Sequence, residues 1–116
     1  MSQPYAVVQP ERSAIDALDG VVALEFGADW CGHCRNAAPH ITAALSGFPA
    51  VQHIKVEDGS GRALGRSFRV KLWPTLIVVR NGTELARVVR PGDAQEVQQA
   101  LDAVSTPGEG ISAPSL

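Results

Sequence analysis

The sequence predicts an α/β domain: a central mixed sheet flanked by helices, with elements in the order β-α-β-α-β-α-β-β-α. Three observations carry this. Val21 to Phe26 is a nearly continuous apolar run, as expected for a strand buried on both faces. Strand-like runs alternate with segments of helical character, a pattern that gives a parallel core. Asn81-Gly82 follows a β-branched run and signals a tight hairpin, which adds an antiparallel edge.

Each element has a local reason. Tyr5-Ala6-Val7-Val8 reads as a short edge strand. Glu11 to Leu18 reads as a short helix with Ile15 and Leu18 on one side and Gly20 as its stop. After the buried strand Val21 to Phe26, Gly32 to Ser46 reads as a helix ended by Gly47. Pro39 kinks it, because proline removes a hydrogen bond and crowds the preceding turn. Val51 to Glu57 reads as a second buried strand. Ser60 to Phe68 reads as a short helix capped by Ser60, with Leu64 and Phe68 as core anchors. Thr75 to Val79 is a β-branched strand, and Glu84 to Val89 returns antiparallel to it. Asp93 and Glu96 resemble a capping box that opens a last helix, striped by Val97, Leu101 and Val104. Residues 1–105 form one domain on this reading. Proline, glycine and serine dominate 106–116, which reads as a flexible tail.

The chemistry centres on Trp30-Cys31-Gly32-His33-Cys34, which holds the only two cysteines of the chain. Two cysteines separated by two residues can close an intramolecular disulfide. They sit at the start of a helix, where open N–H groups and the positive end of the dipole favour a thiolate. Cys31 and Cys34 therefore read as a redox pair, with Cys31 exposed and Cys34 one turn in and more buried. Zinc is the competing use of this spacing, but a tetrahedral site needs four ligands. His33, His40 and His53 are too few and too scattered to complete one, so no metal and no bound cofactor is expected. A structural role is weaker still, because so short a loop contributes little closure entropy.

Composition agrees. The chain has 116 residues, 45% of them hydrophobic, and a formal net charge of −2, which disfavours nucleic acid as a partner. No stretch reads as a membrane span or a secretory signal. Taken as a complete chain, it is expected in the cytosol, where thiols are kept reduced.

The element order, with its CxxC between the second strand and second helix, resembles the thioredoxin fold over residues 4 to about 104. Trp30 before the motif, Pro39 five residues after Cys34, Trp73-Pro74-Thr75 before a core strand, and the Asn81-Gly82 hairpin all match that family. Gly32-His33 within the motif, and Glu25 six residues before Cys31, are closer to the active domains of protein disulfide isomerases.

The resemblance implies a thiol–disulfide oxidoreductase in which Cys31 attacks a protein disulfide and Cys34 resolves the mixed disulfide. It implies a monomer served by an upstream reductase or a low-molecular-weight thiol. An oxidase, an isomerase or a non-catalytic docking module are the alternatives. His33 stands where its imidazole can stabilise the Cys31 thiolate. Glu25 interrupts an apolar run, where a carboxylate is costly to bury. By resemblance it is the buried acid that moves protons for the leaving cysteine, and Lys55 falls on the lysine that partners it. Pro74 matches the family's cis-proline, and the backbone of Trp73 is implied to pair with an extended substrate. Trp30, Gly32, Trp73, Pro74 and Arg90 are the residues implied to meet substrate. Arg90 stands where the family has a glycine; it reads first as a solvated surface charge, and in the alternative, with Lys71 and Arg87, as part of a basic groove that prefers acidic partners. Gly27 replaces a usual aromatic residue, which predicts a looser floor to the site.

Overall fold

The computed structural model describes residues 4–6 and 10–105. In chain order the elements are α1 (Arg12–Asp16), β1 (Val21–Gly27), α2 (Gly32–Leu45), β2 (Gln52–Glu57), α3 (Ala63–Ser67), β3 (Thr75–Arg80), β4 (Thr83–Val89) and α4 (Ala94–Ser105). The sheet order is β2-β1-β3-β4. The two inner strands are apolar on both faces and are buried on both. Val22, Leu24 and Phe26 of β1, with Ile77 and Val79 of β3, pack with Ile15, Leu64 and Phe68 from the α1 and α3 side. On the other face Ala23, Leu76 and Val78 pack with Ala37, Ile41 and Ala44 of α2 and Val97 and Leu101 of α4.

The parallel core expected from alternation is reduced to one pair. β1 runs parallel to β2, but β3 is antiparallel to β1, with Phe26 opposite Thr75 and Val21 opposite Arg80. The connection from β2 to β3, residues 58–74, is long enough for a crossover, but it brings the chain back at the end of the sheet where β2 left it: Thr75 starts β3 opposite Phe26 near the C-terminal end of β1, so β3 can only run back antiparallel. β2 is also an edge strand, so only Lys55 and Val56 are buried in it. This corrects the expectation of a strand buried throughout.

Other expectations are met or moved at the ends. Asn81 and Gly82 both have positive φ, at 52° and 80°, as a two-residue type I′ hairpin requires. The Asp93 carboxylate accepts from Glu96 N–H at 2.9 Å, and the Glu96 side chain reaches back to Gly92 N–H at 2.7 Å. Ser60 does not cap α3. That helix starts at Ala63 behind Arg62 and has no side-chain cap, because Gly59 and Gly61 turn the chain at φ 139° and 79°. The edge strand expected over Tyr5 to Val8 is described only as a parallel bridge from Ala6 to Val56, and Val7 and Val8 lie outside the described residues, as does the 106–116 tail. Among the described residues no helix is long and apolar enough to cross a membrane.

Candidate active site

Cys31 is the N-cap of α2, in extended conformation at φ −83° and ψ 122°. Its Sγ accepts a hydrogen bond from Cys34 N–H at 3.3 Å. A capping side chain takes up one of the orphan donors of a helix start, and sulfur carrying negative charge gains most from that bond. Both cysteines are free thiols. Cys31 is 9% exposed and Cys34 1%, so the nucleophile candidate is more enclosed than its position suggested. The cause is packing: Cys31 and Cys34 cluster with Tyr5 and Ala28, and Trp73 leans on the group. Cys34 Sγ accepts from Ala28 N–H at 3.5 Å. Burial, then the hydrogen bond with Cys31, push the Cys34 thiol up from 9.0 to about 12.

Below Cys34 lies a buried polar group. Strand alternation turns Ala23, Glu25 and Gly27 to the α2 side of the sheet, and Glu25 is 1% exposed there. Its carboxylate accepts from the Tyr5 hydroxyl through Oε2 and pairs with His53 Nε2 through Oε1 at 2.8 Å. Lys55 Nζ stands 4.0 Å from Oε2 and 4.4 Å above the Tyr5 ring. Lys55 is thus near Glu25, as expected, but Tyr5 and His53 make the closer contacts. The floor is not loose at Gly27. Tyr5 fills the space, and a Cβ on Gly27 would lie 2.6 Å from Cys34 Sγ and 2.8 Å from the Tyr5 hydroxyl. The sheet supplies the geometry: His53 and Lys55 are two apart on β2, and Lys55 is the register partner of Glu25.

The rim is different in kind. Trp30 is 68% exposed and stacks edge-on against Trp73, with ring centroids 5.6 Å apart. Trp73 donates its indole N–H to Asp58 at 2.9 Å, so its ring packs at the rim. The Trp73–Pro74 peptide is cis. Gly32 and His33 are exposed on the first turn of α2. Arg90, at φ 50°, donates through Nε to the Trp73 carbonyl at 2.7 Å. Of the cations that would make a basic groove around it, Arg87 is engaged by Glu84 at 2.7 Å and by the Phe68 carbonyl at 2.6 Å.

Tyr5, His53 and Asp58 escaped the sequence reading. Two signals pointed to the first two. A glycine in place of an aromatic residue leaves a hole that another ring must fill, and Tyr5 is the only tyrosine. His53 precedes Lys55 by two residues, hence shares its face of the strand. Among the described residues no three metal-ligating side chains converge.

Comparison with known proteins agrees with this geometry. The thioredoxin family model matches residues 8–103. The chain is 32% identical over 97 residues to a thioredoxin of Echinococcus granulosus, covering 81% of this chain and 91% of that protein. It is 34% identical over 83 residues to a thioredoxin of Chlamydia trachomatis serovar D, covering 72% and 81%. Among solved structures, thioredoxin 2 from Pseudomonas aeruginosa PAO1 in its reduced form superposes with a TM-score of 0.81 at 50% identity, over 95% of this chain and all of that one.

Proposed function

This chain belongs to the thioredoxin family and is a thiol–disulfide oxidoreductase, and from that premise we propose how its residues divide the work. Cys31 is the nucleophile. Its sulfur attacks a protein disulfide, one substrate sulfur leaves as a thiolate, and a mixed disulfide remains on Cys31. Cys34 then gives up its proton and attacks Cys31 Sγ. The Cys31–Cys34 disulfide forms, and the second substrate sulfur leaves with the electron pair. Glu25 is the base for Cys34, since a thiol pushed up to about 12 has roughly one thiolate per hundred thousand molecules at pH 7. His53 and Lys55 hold the Glu25 carboxylate in place. Trp30, Gly32, Trp73 and Pro74 form the surface that an extended substrate meets, its backbone pairing with that of Trp73. His33 stabilises the Cys31 thiolate from the exposed side.

The single observation that carries the assignment is the hydrogen bond from Cys34 N–H to Cys31 Sγ at the mouth of α2. It gives the Cys31 sulfur an open backbone donor at the start of the helix, the placement that suits an attacking thiol, and leaves Cys34 behind it. In this reading the protein works in the cytosol as a monomeric reductase of protein disulfides. A reductase or a low-molecular-weight thiol regenerates its dithiol. Insulin-disulfide reduction tests the core of it: wild-type protein is expected to turn over, and Cys31→Ser to lose activity to the uncatalysed rate. A Cys31→Ser variant as fast as wild type would sink the assignment and favour a docking module.

A further inference from the structure

The Tyr5 hydroxyl lies between the two groups that must exchange a proton. It donates to Glu25 Oε2 and packs in one buried cluster with Cys34. Both the hydroxyl and the sulfur crowd the same point above Gly27, within 2.8 Å and 2.6 Å of where a Cβ would stand. The hydroxyl is not placed there by chance packing. Tyr5 is 4% exposed. Its backbone N–H donates to Asp29 Oδ1 at 3.1 Å. The next residue is locked to β2 by Ala6 N–H to the Lys55 carbonyl at 3.0 Å and by Glu57 N–H to the Ala6 carbonyl at 2.9 Å. Lys55 Nζ covers the ring face at 4.4 Å. On the far side His53 occupies Oε1 of Glu25, which leaves Oε2 to face the tyrosine.

We propose that Tyr5 is a catalytic residue that conducts the proton between Cys34 and Glu25. This rests on the reading of Glu25 as the base for Cys34. In the forward step the Cys34 S–H bond breaks and its proton passes to Tyr5 Oη. In the same event the proton already on Oη passes to Glu25 Oε2. The Cys34 thiolate attacks Cys31 Sγ, the Cys31–Cys34 bond forms, and the bond from Cys31 to the substrate sulfur breaks, the electron pair leaving with that sulfur. The two transfers are concerted because burial and the Glu25 charge push the Tyr5 hydroxyl far above its ordinary value. A free tyrosinate is not an intermediate; the hydroxyl gives one proton as it takes another. The N-terminal segment thereby supplies the floor of the site with a functional group, in the space left by Gly27.

The test isolates the resolving step. Cys31 is loaded with 5-thio-2-nitrobenzoate, a thiol that leaves without needing a proton, and its release is followed at pH 7 in wild type, Tyr5→Phe, Glu25→Gln and the double variant. Tyr5→Phe keeps the ring and its packing. Release is expected to slow about a hundredfold in each single variant, the lower end of what positioned proton transfer contributes. The double variant should be no slower than the slower single. With the conduit cut, the Tyr5→Phe rate should climb about tenfold per pH unit from pH 7 to 10, following the thiolate fraction, while wild type climbs less; a purely structural defect would leave the profile parallel to wild type. Tyr5→Phe at the wild-type rate beside a slow Glu25→Gln overturns the conduit and leaves Glu25 as base. Both singles at the wild-type rate overturn both. Effects that multiply in the double variant also overturn the conduit, because they would place the two residues on independent paths.

Discussion

The floor and the rim of the site meet at Trp73, which leans on the buried cysteines and against Trp30, and they are built on opposite principles. On the floor, Tyr5, Glu25, His53 and Lys55 are partnered to one another beneath a buried Cys34. In low-dielectric surroundings an unpartnered polar group is expensive, so a buried network is satisfied as a whole. At the rim, Trp30 and His33 face solvent, and the Trp73 carbonyl accepts from a long, exposed arginine. The difference teaches where each property of a dithiol enzyme resides. On the roles proposed above, proton supply and stability belong to the floor, and recognition and redox poise belong to the rim. A change on the floor should therefore be felt in stability and in the resolving step together. A change at the rim should alter affinity or potential and leave stability within about 0.5 kcal/mol.

The largest expected effect is Gly27→Ala. A methyl group there meets Cys34 Sγ and the Tyr5 hydroxyl well inside contact distance. Overpacking of this kind costs about 1–3 kcal/mol. Denaturant unfolding should show that loss together with slowed release from Cys31. A stable Gly27→Ala protein with normal release would break the claim that the floor is tightly packed.

Next is a dependence on pH. Cys34 is raised from 9.0 to about 12 in the folded protein. Between those values the folded chain keeps a proton that the unfolded chain has lost, so stability present below pH 9 declines as pH rises toward 12. Under reducing conditions the thermal midpoint of wild type should fall more steeply over that window than that of Cys34→Ala. Parallel curves would place the cost of charging Cys34 elsewhere.

Rim changes come after these. Arg90→Gly removes the group bonded to the Trp73 carbonyl and suits a backbone at φ 50°. Its KM for a protein disulfide should fall severalfold with kcat unchanged; a rise in KM would show instead that Arg90 grips substrate. The smallest effect concerns His33, which is exposed and sits in the first helical turn, where proline is tolerated. Equilibration of His33→Pro with glutathione should show a potential lower by tens of millivolts, moving within the interval between the isomerase value of about −180 mV and the thioredoxin value of about −270 mV toward the latter. An unchanged potential would reduce His33 to a spacer.

The sequence by itself determined the parts that depend on short spacing. Cys31 and Cys34 lie one turn apart on any helix that starts between them, Asn81-Gly82 sets its own hairpin, and the apolar faces of Val21 to Phe26 and Thr75 to Val79 demand the middle of a sheet. Glu25 stood out for a related reason, since a carboxylate in such a run must find partners. Which partners it finds was legible only in part. Lys55 was placed by resemblance, whereas His53 and Tyr5 required the register of β2 against β1 and the docking of a segment 20 residues upstream of Glu25. The antiparallel entry of β3 likewise was decided by where the chain re-enters the sheet, opposite the C-terminal end of β1. The enclosure of Cys31 followed from where Trp73 and Tyr5 come to rest. Local chemistry is written in neighbouring residues, but a buried network is assembled from side chains far apart in the chain. Only the packed fold decides which of them share a cavity, because only there does each polar group lose water and have to replace it.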